Sequence, residues 1–455
     1  MLRTTTLSAA ALLGAVLLTP TSASAAGETC QGRPATIVGA DRATPIVGTD
    51  GPDVIVSTGA RVIDARGGDD LVCVVNTFVR DLDAGDGDDV VDVSAGYGAW
   101  AVLGAGSDTF IGSPGGDWVW AGTRTARGEI EEDTEADVID TGAEQSADRV
   151  YSGEPGVPNG DQVRVGALCE VTWAGTPTSS TVLESAGAGD LDLTLTGRDR
   201  VRIDNTTEVL TLDGRPTALS GFTAFTVHAP SGPRSFSFLG NDRGYEYLTL
   251  DLPRPRTHRV DMGGGRNELD VTVGRPLAKG TRYRAGSGRD GVRVTLVRGE
   301  VRADLGTHRL TTRLGRTART TRVTGFESAA ATAQAATLVG TPGRNGLYVA
   351  ACRGHVVGLA GGDSLGAMQP NTKLRCARRS VTAIGGPGKD HLTGSPGPDR
   401  LIGGAGKDVA GGRGGRDTCE AESTGSCERK LWGNGRQSGH RLRAPGLTRA
   451  AGAPR

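Results

Sequence analysis

Four aspartates near the C-terminal end of the chain recur every nine residues, each with a glycine two positions before it. They are Asp390, Asp399, Asp408 and Asp417, in segments that read GGPGKDHLT, GSPGPDRLI, GGAGKDVAG and GRGGRDTCE. A short fixed period of this kind indicates a coiled repeat, built from turns and short strands. Because two periods complete one coil, we expect Asp390 to stack on Asp408, and Asp399 to stack on Asp417.

The residue types in this repeat predict a calcium site. Glycine adopts positive φ at little steric cost, so the turn can bring backbone carbonyl oxygens close to an ion. The aspartate adds a carboxylate oxygen, and Ca²⁺ takes about 6–8 oxygen ligands, so two stacked turns would share each ion. The apolar residues that follow are expected to point into a thin core between two strand layers: Leu392, Leu401, Ala410 and Cys419.

A looser version of the same pattern lies between residues 48 and 120. The aspartates of its turns are Asp53, Asp70, Asp89, Asp108 and Asp117. The first four are 17, 19 and 19 residues apart, close to one full coil, which predicts an acidic column along one side. The opposite side is expected to lack metal sites until Asp117.

The residue before the repeat aspartate differs between the two blocks. It is acidic at Asp69 and Asp88, and we include both among the candidate calcium ligands. In the C-terminal block it is a cation in three of four repeats, at Lys389, Lys407 and Arg416. Since neighbouring cations oppose the binding of another cation, we expect the C-terminal sites to be weaker.

Both blocks resemble the hemolysin-type calcium-binding repeat, or RTX repeat, of secreted bacterial proteins. The resemblance covers about 48–120 and 385–419. It implies a parallel β-roll in which the repeat aspartates hold Ca²⁺ between turns, and a fold that depends on the metal.

The rest of the chain predicts an exported, all-β protein. Arg3, an apolar stretch over 7–18 and Ala23-Ser24-Ala25 have the pattern of a secretory signal with its cleavage site, so we expect an extracellular protein. No later segment is apolar enough to predict a membrane anchor. The spacing of the cysteines favours Cys30–Cys73, Cys352–Cys376 and Cys419–Cys427 disulfides and leaves Cys169 over.

Short alternating strands in the middle of the chain, such as Leu191–Leu195 and Val292–Leu296, continue the β pattern without helical periodicity. We therefore predict a parallel β-solenoid with repeat blocks at both ends. The expected segments are a signal peptide (1–26), an N-terminal β-roll with an acidic insertion (27–165), a degenerate solenoid or a separate β-sandwich (166–330), a C-terminal β-roll (331–430) and a disordered tail (431–455).

Charge is distributed unevenly along the chain. Residues 41–150 hold 23 acidic and 7 basic side chains, whereas residues 198–323 hold 13 acidic and 23 basic ones. Solvated surface charge is the simpler interpretation of the basic region. In the acidic region, the placement of the aspartates in turns favours metal binding.

The sequence contains no G-x-S-x-G, H-E-x-x-H or Walker pattern, so we predict no catalysis and no nucleic-acid partner. The expected role is structural or adhesive. The partner would be a cell-surface glycan or protein. If Val119 points inward, Trp118 and Trp120 share the outer side of their strand, where they are either exposed for binding or packed under a loop of the acidic insertion. The alternative is an extracellular polysaccharide lyase, epimerase or hydrolase built on a β-helix, with Asp199, Arg200, Arg202 and Asp204 among its exposed charges.

Overall fold

A computed structural model describes residues 27–125, 129–131, 134–142, 147–242, 244–369 and 374–430. All its regular elements are β-strands, most of them paired in parallel, so the predicted all-β solenoid is confirmed. No helix in these residues is long and apolar enough to cross a membrane. The predicted signal peptide (1–26) and tail (431–455) lie outside the described residues.

The strands are short at both ends of the chain and longer in the middle. The N-terminal strands are β1 (Thr29–Cys30), β2 (Arg33–Pro34), β3 (Ile37–Gly39), β4 (Ile46–Val47), β5 (Val54–Ser57), β6 (Val62–Asp64), β7 (Leu71–Val75), β8 (Val79–Asp83), β9 (Val90–Ala95), β10 (Ala99–Val102), β11 (Thr109–Ile111), β12 (Trp118–Trp120), β13 (Thr123–Arg124), β14 (Ile130–Glu131), β15 (Val138–Asp140), β16 (Arg149–Ser152), β17 (Pro158–Asn159), β18 (Gln162–Val165), β19 (Glu170–Ala174) and β20 (Thr176–Pro177). The middle strands are β21 (Val182–Thr194), β22 (Arg200–Asp204), β23 (Val209–Leu212), β24 (Arg215–His228), β25 (Ser235–Leu239), β26 (Tyr245–Leu252), β27 (His258–Asp261), β28 (Arg266–Val273), β29 (Arg282–Arg284), β30 (Gly291–Asp304), β31 (Arg309–Leu314), β32 (Thr317–Thr324) and β33 (Ser328–Val339). The C-terminal strands are β34 (Gly346–Val357), β35 (Ser364–Ala367), β36 (Ser380–Pro387), β37 (His391–Thr393), β38 (Arg400–Ala405), β39 (Val409–Gly411), β40 (Thr418–Glu420), β41 (Ser423–Gly425) and β42 (Arg429–Lys430).

Successive strands alternate between two stacked layers, which we call sheets A and B. Sheet A begins with the parallel pairs β3–β5, β5–β7, β7–β9 and β9–β11, and sheet B begins with β4–β6, β6–β8, β8–β10 and β10–β12. The long strands β21, β24, β30, β33 and β34 contribute one half to each sheet. Parallel pairing therefore runs through the middle region, although the segment boundaries remain predictions.

Sheet A is interrupted twice by an antiparallel pair. Strands β22 and β23 lie between β24 and β25, and strands β31 and β32 lie between β30 and β29. Each pair fills the space of two strands, so the layer stays continuous.

The core lies between the two sheets. The predicted inward residues Leu392, Leu401, Ala410 and Cys419 are all 0% exposed. Larger side chains, including Trp173 and Tyr283, fill a thicker core in the middle region. The period-two alternation of strands places these apolar residues inside and the polar residues outside.

The predicted disulfides Cys30–Cys73, Cys352–Cys376 and Cys419–Cys427 are all present in the structure. Two of them cross-link the ends of the described chain, where a solenoid would otherwise fray. Cys169 is buried, and its thiol donates to Asp148 Oδ2 at 3.3 Å.

Candidate calcium sites

The aspartates of the N-terminal block stack in the predicted order along one side. The backbone N–H of Asp53 donates to Asp70 Oδ1 at 2.7 Å, that of Asp70 to Asp89 Oδ1 at 2.8 Å, and that of Asp89 to Asp108 Oδ1 at 2.8 Å. Each carboxylate is thus tied to the backbone of the preceding coil. We call this series the N-terminal column.

The N-terminal column continues beyond the residues that the sequence singled out. Asp108 N donates to Asp137 Oδ1 at 2.9 Å, and Asp137 N donates to Asp161 Oδ1 at 3.0 Å. On the opposite side, Ala99 N donates to Asp117 Oδ1 and Asp117 N to Asp148 Oδ1. The repeat period does not reach Asp137 and Asp148, because insertions lengthen the separations to 29 and 31 residues.

The C-terminal aspartates form two columns, as the nine-residue period predicts. In the first, Asp363 N donates to Asp390 Oδ1 at 2.8 Å and Asp390 N donates to Asp408 Oδ1 at 2.9 Å. In the second, Asp399 N donates to Asp417 Oδ1 at 2.9 Å.

Within the described residues, each C-terminal column ends on a glutamate. Asp408 N donates to Glu422 Oε2 and Asp417 N to Glu428 Oε2, both at 2.7 Å. The repeat pattern does not predict either glutamate as part of a column, since neither follows a glycine-rich turn. Each takes the place of the aspartate that a further repeat would supply.

Asp69 and Asp88 lie outside the buried columns. Both are exposed, and they form a parallel series on the surface, in which Asp88 N donates to Asp69 Oδ1 at 3.1 Å and Ser107 N donates to Asp88 Oδ1 at 2.8 Å.

The second carboxylate oxygen divides most column aspartates into two classes. Asp148 and Asp161 belong to neither, since Cys169 and Ser152 donate to their Oδ2 atoms. In the first class, Oδ2 is buried and receives no hydrogen bond from any described residue. Its members include Asp70, Asp89, Asp108, Asp390, Asp408 and Asp417, and also Asp290 and Asp363, which the sequence analysis did not single out. A buried anionic oxygen without a donor is costly unless a cation or a proton neutralises it.

Protonation is the alternative to a cation in this class. Burial is the main cause that raises the pKa of Asp89 to about 8, and repulsion from Asp108 and Asp70 adds to it against the hydrogen bond from Asp70 N. Burial also raises the pKa of Asp108 to about 7 and the pKa values of Asp70 and Asp390 to about 6. At neutral pH, Asp89 therefore largely keeps its proton and Asp108 keeps it in part, whereas Asp70 and Asp390 give it up at slightly acidic pH.

In the second class, a serine or threonine four residues earlier satisfies the oxygen. Thr49 N donates to Asp53 Oδ2 at 2.8 Å, Ser113 N to Asp117 Oδ2 at 2.8 Å and Ser395 N to Asp399 Oδ2 at 2.6 Å. The hydroxyl groups of the same residues also donate to these carboxylates. Asp53, Asp117 and Asp399 therefore need no ion to satisfy their oxygens.

Backbone conformation separates most members of the two classes. Four residues before the repeat aspartates of the first class, the backbone has positive φ: 73° at Arg66, 106° at Gly85, 111° at Gly104, 121° at Gly386, 106° at Gly404 and 72° at Arg413. Asp290 is an exception, because Gly286 does not have positive φ. No N–H of these residues donates to the carboxylate that follows. A serine or threonine four residues before the aspartate is therefore the sequence signal of the second class.

Asn267, which takes the place of an aspartate in a column, shows which groups surround the position of Oδ2 in a column aspartate. Its Oδ1 accepts a hydrogen bond from Glu246 N at 3.2 Å, as Oδ1 of a column aspartate does. Its Nδ2, in the place of Oδ2, donates to the carbonyl oxygens of Gly263 and Gly264 at 3.4 and 3.1 Å. Carbonyl oxygens thus surround this position, and an amide satisfies them where an aspartate would need a cation.

The C-terminal columns have the same crowded arrangement of oxygens. A methyl group on Gly385 would collide with both Asp390 Oδ2 and the carbonyl oxygen of Gly403 in the next coil. A methyl group on Gly412 would likewise collide with Asp417 Oδ2 and the carbonyl oxygen of Ser426. Carboxylate and carbonyl oxygens are the ligands that Ca²⁺ prefers.

A family model described as the RTX calcium-binding nonapeptide repeat matches the chain in four copies, over residues 102–123 and 384–419. The chain carries RTX calcium-binding repeats. The matched RTX segments include Asp108 and Asp117 and all four C-terminal repeat aspartates. No curated protein matches the chain.

The RTX repeats would bind calcium largely through backbone oxygens. Among the described residues, no group of three or more His, Cys, Asp or Glu side chains is placed to hold a metal ion. A site would therefore combine one or two column carboxylates with carbonyl oxygens of the adjacent turns, as the surroundings of Asn267 indicate.

Trp118 and Trp120 lie on the outer side of sheet B, on either side of the fully buried Val119. Both rings point outward and are half-buried, because aromatic side chains of neighbouring coils stack on them. Trp118 stacks on Trp100 at a centroid distance of 5.0 Å, and the Arg149 guanidinium lies 5.0 Å from its centroid. Trp120 stacks on Tyr151 at 5.2 Å.

Proposed function

We propose that the protein is a secreted calcium-binding β-solenoid with a structural or adhesive extracellular role and no catalysis of its own. The observation that carries this proposal is the set of buried carboxylate oxygens without donors, which are stacked in columns. Four of them, on Asp108, Asp390, Asp408 and Asp417, lie in the matched RTX segments. Three disulfides support the extracellular location, since such bonds persist in oxidising compartments.

The residues that would hold the ions are the first-class aspartates. Asp70, Asp89 and Asp108 would do so in the N-terminal column, and Asp390, Asp408 and Asp417 in the C-terminal columns. Bound Ca²⁺ would supply the positive charge that these buried oxygens lack. Each carboxylate orients its Oδ1 through the N–H of the neighbouring coil, so the fold positions Oδ2 in advance.

The second-class aspartates Asp53, Asp117 and Asp399 would contribute less, because serine or threonine already donates to them. Asp69 and Asp88 are exposed and would act by attracting the ion rather than by enclosing it. Lys389 and Lys407 directly precede Asp390 and Asp408, and both are exposed. Their positive charges would oppose the binding of Ca²⁺, which supports the expectation of weaker C-terminal sites.

Calcium titration of the protein by calorimetry, with circular dichroism and thermal unfolding recorded in parallel, tests this proposal. We expect several ions to bind and the unfolding midpoint to rise. Asp70→Asn and Asp408→Asn should each lower the number of ions bound. The exposed Asp64 on β6 provides the matched control, and Asp64→Asn should leave the titration unchanged. Absence of calcium binding, or equal titrations in all three variants, would reject the proposal.

A further inference from the structure

Four arginines lie side by side on the outer side of sheet A, on four adjacent strands. Arg259 on β27 pairs in register with Arg282 on β29, Arg282 with Arg322 on β32, and Arg322 with Arg309 on β31. All four are exposed. We call this series the arginine row.

The arginine row places like charges directly opposite one another, an arrangement that destabilises a sheet. None of its four members forms an ion pair with a described residue. Nearby arginines are paired, since Arg284 contacts Asp261 at 3.0 Å and Arg202 contacts Asp204 at 2.5 Å. Only at one end does an acid face the row, where Asp304 lies opposite Arg309 without a salt bridge.

The antiparallel pair β31–β32 adds to this charge. Residues 309–322 contain five arginines and no acidic residue. This pair is one of the two interruptions of the parallel sheet, and it adds two members to the row. The hydroxyl groups of Thr311 and Thr320, bonded to each other at 2.9 Å, lie beside it.

We propose that the arginine row binds a linear acidic polysaccharide that runs along the solenoid axis, across the strands. Adjacent strands are about 4.8 Å apart, so cations recur at a spacing comparable to the length of one sugar residue in an extended chain. Guanidinium groups recognise carboxylate and sulfate through paired hydrogen bonds. The threonine hydroxyls beside the row suit the hydroxyl groups of sugars.

The surface favours a polysaccharide over a single-stranded nucleic acid. Proteins that bind single strands combine a cationic groove with aromatic side chains on which bases stack. On the described strands of sheet A in this region, the aromatic residues point inward, because Phe236, Phe238 and Tyr283 are at most 2% exposed. The outer side of sheet A around the row therefore carries arginines and hydroxyl groups, together with Asp261, which Arg284 neutralises, and Asp304 at one end.

The test measures binding of short galacturonate oligomers to the full protein by calorimetry, with their neutral methyl esters as the ligand control. We compare Arg282→Gln/Arg322→Gln with Arg298→Gln/Arg344→Gln, which removes two exposed arginines outside the row and changes the net charge equally. Circular dichroism verifies that both variants fold, as expected for exposed side chains.

We expect the wild type to bind the acidic oligomers and not the esters. The row variant should bind at least tenfold more weakly, and the control variant should bind like the wild type. Equal losses in the two variants would mean nonspecific attraction by net charge and would overturn the proposal. Tighter binding of single-stranded DNA than of galacturonate, or no binding at all, would also overturn it. None of these outcomes depends on calcium binding at the RTX repeats.

Discussion

At the scale of single residues, the two oxygens of the Asp89 carboxylate have different surroundings. Oδ1 accepts the N–H of Asp70 at 2.8 Å, whereas Oδ2 is buried without a donor. At Asn267 the equivalent position holds an NH₂ group that donates to two carbonyl oxygens. An amide at this position therefore satisfies the facing carbonyl oxygens without a metal. A carboxylate at the same position needs a cation or a proton.

This difference predicts that Asp89→Asn has opposite effects with and without calcium. Without calcium at pH 9, where Asp89 is largely ionised, the variant should be more stable than the wild type by about 1–3 kcal/mol, because an unsatisfied buried oxygen is removed. In saturating calcium it should be less stable than the wild type, because a ligand is lost. Chemical denaturation in EDTA and in calcium measures the free energy of unfolding of the variant and of the wild type under both conditions.

The control for this variant is Asp53→Asn. Thr49 donates to the carboxylate of Asp53 through both its N–H and its hydroxyl group, so the amide should destabilise the protein with or without calcium. A destabilised Asp89→Asn variant in EDTA would contradict the division into two classes.

At the scale of strands, the two glutamates that end the C-terminal columns act as caps. Glu422 Oε2 accepts the N–H of Asp408 at 2.7 Å, and no further repeat in the described part of the chain stacks beyond it. Glu422→Ala should expose that N–H and loosen strands β39 and β41, at a cost of about 1–3 kcal/mol. Hydrogen exchange should become faster at β39 and β41 and stay unchanged in the N-terminal block.

Glu420→Ala is the matched control, because Glu420 lies on the neighbouring strand β40 and takes no part in a column. It should leave hydrogen exchange at β39 and β41 unchanged. If hydrogen exchange at β39 and β41 has the same rate in both variants, Glu422 is not a cap.

The strands and their turns also show how far the sequence predicts this fold. The fixed period predicted the stacking of Asp390 on Asp408 and the inward position of Leu392, because both follow from local geometry. Asp161 and Asp363 were not predicted, since insertions place them 24 and 27 residues from their column neighbours. The stacking on the half-buried rings of Trp118 and Trp120 depends on Trp100, Arg149 and Tyr151 in other coils, which no local pattern reveals.

At the scale of the whole molecule, the columns predict how stability depends on pH. The pKa of Asp89 is raised to about 8 and that of Asp108 to about 7, from an ordinary value of 3.8. The folded protein therefore binds more protons than the unfolded chain between about pH 4 and 8. Because the slope of stability with pH follows this difference, the calcium-free protein should lose stability as the pH rises through this range.

Calcium should reverse this trend, because the ion competes with protons for the same oxygens and binds better as they ionise. Thermal unfolding midpoints between pH 5 and 9 are therefore expected to fall in EDTA, and to hold or rise in saturating calcium. The difference between the two curves should grow with pH and shrink when Asp89 and Asp108 are both replaced by asparagine. Parallel curves would mean that protons and calcium do not share the columns, and the ions would then have to bind elsewhere on the solenoid.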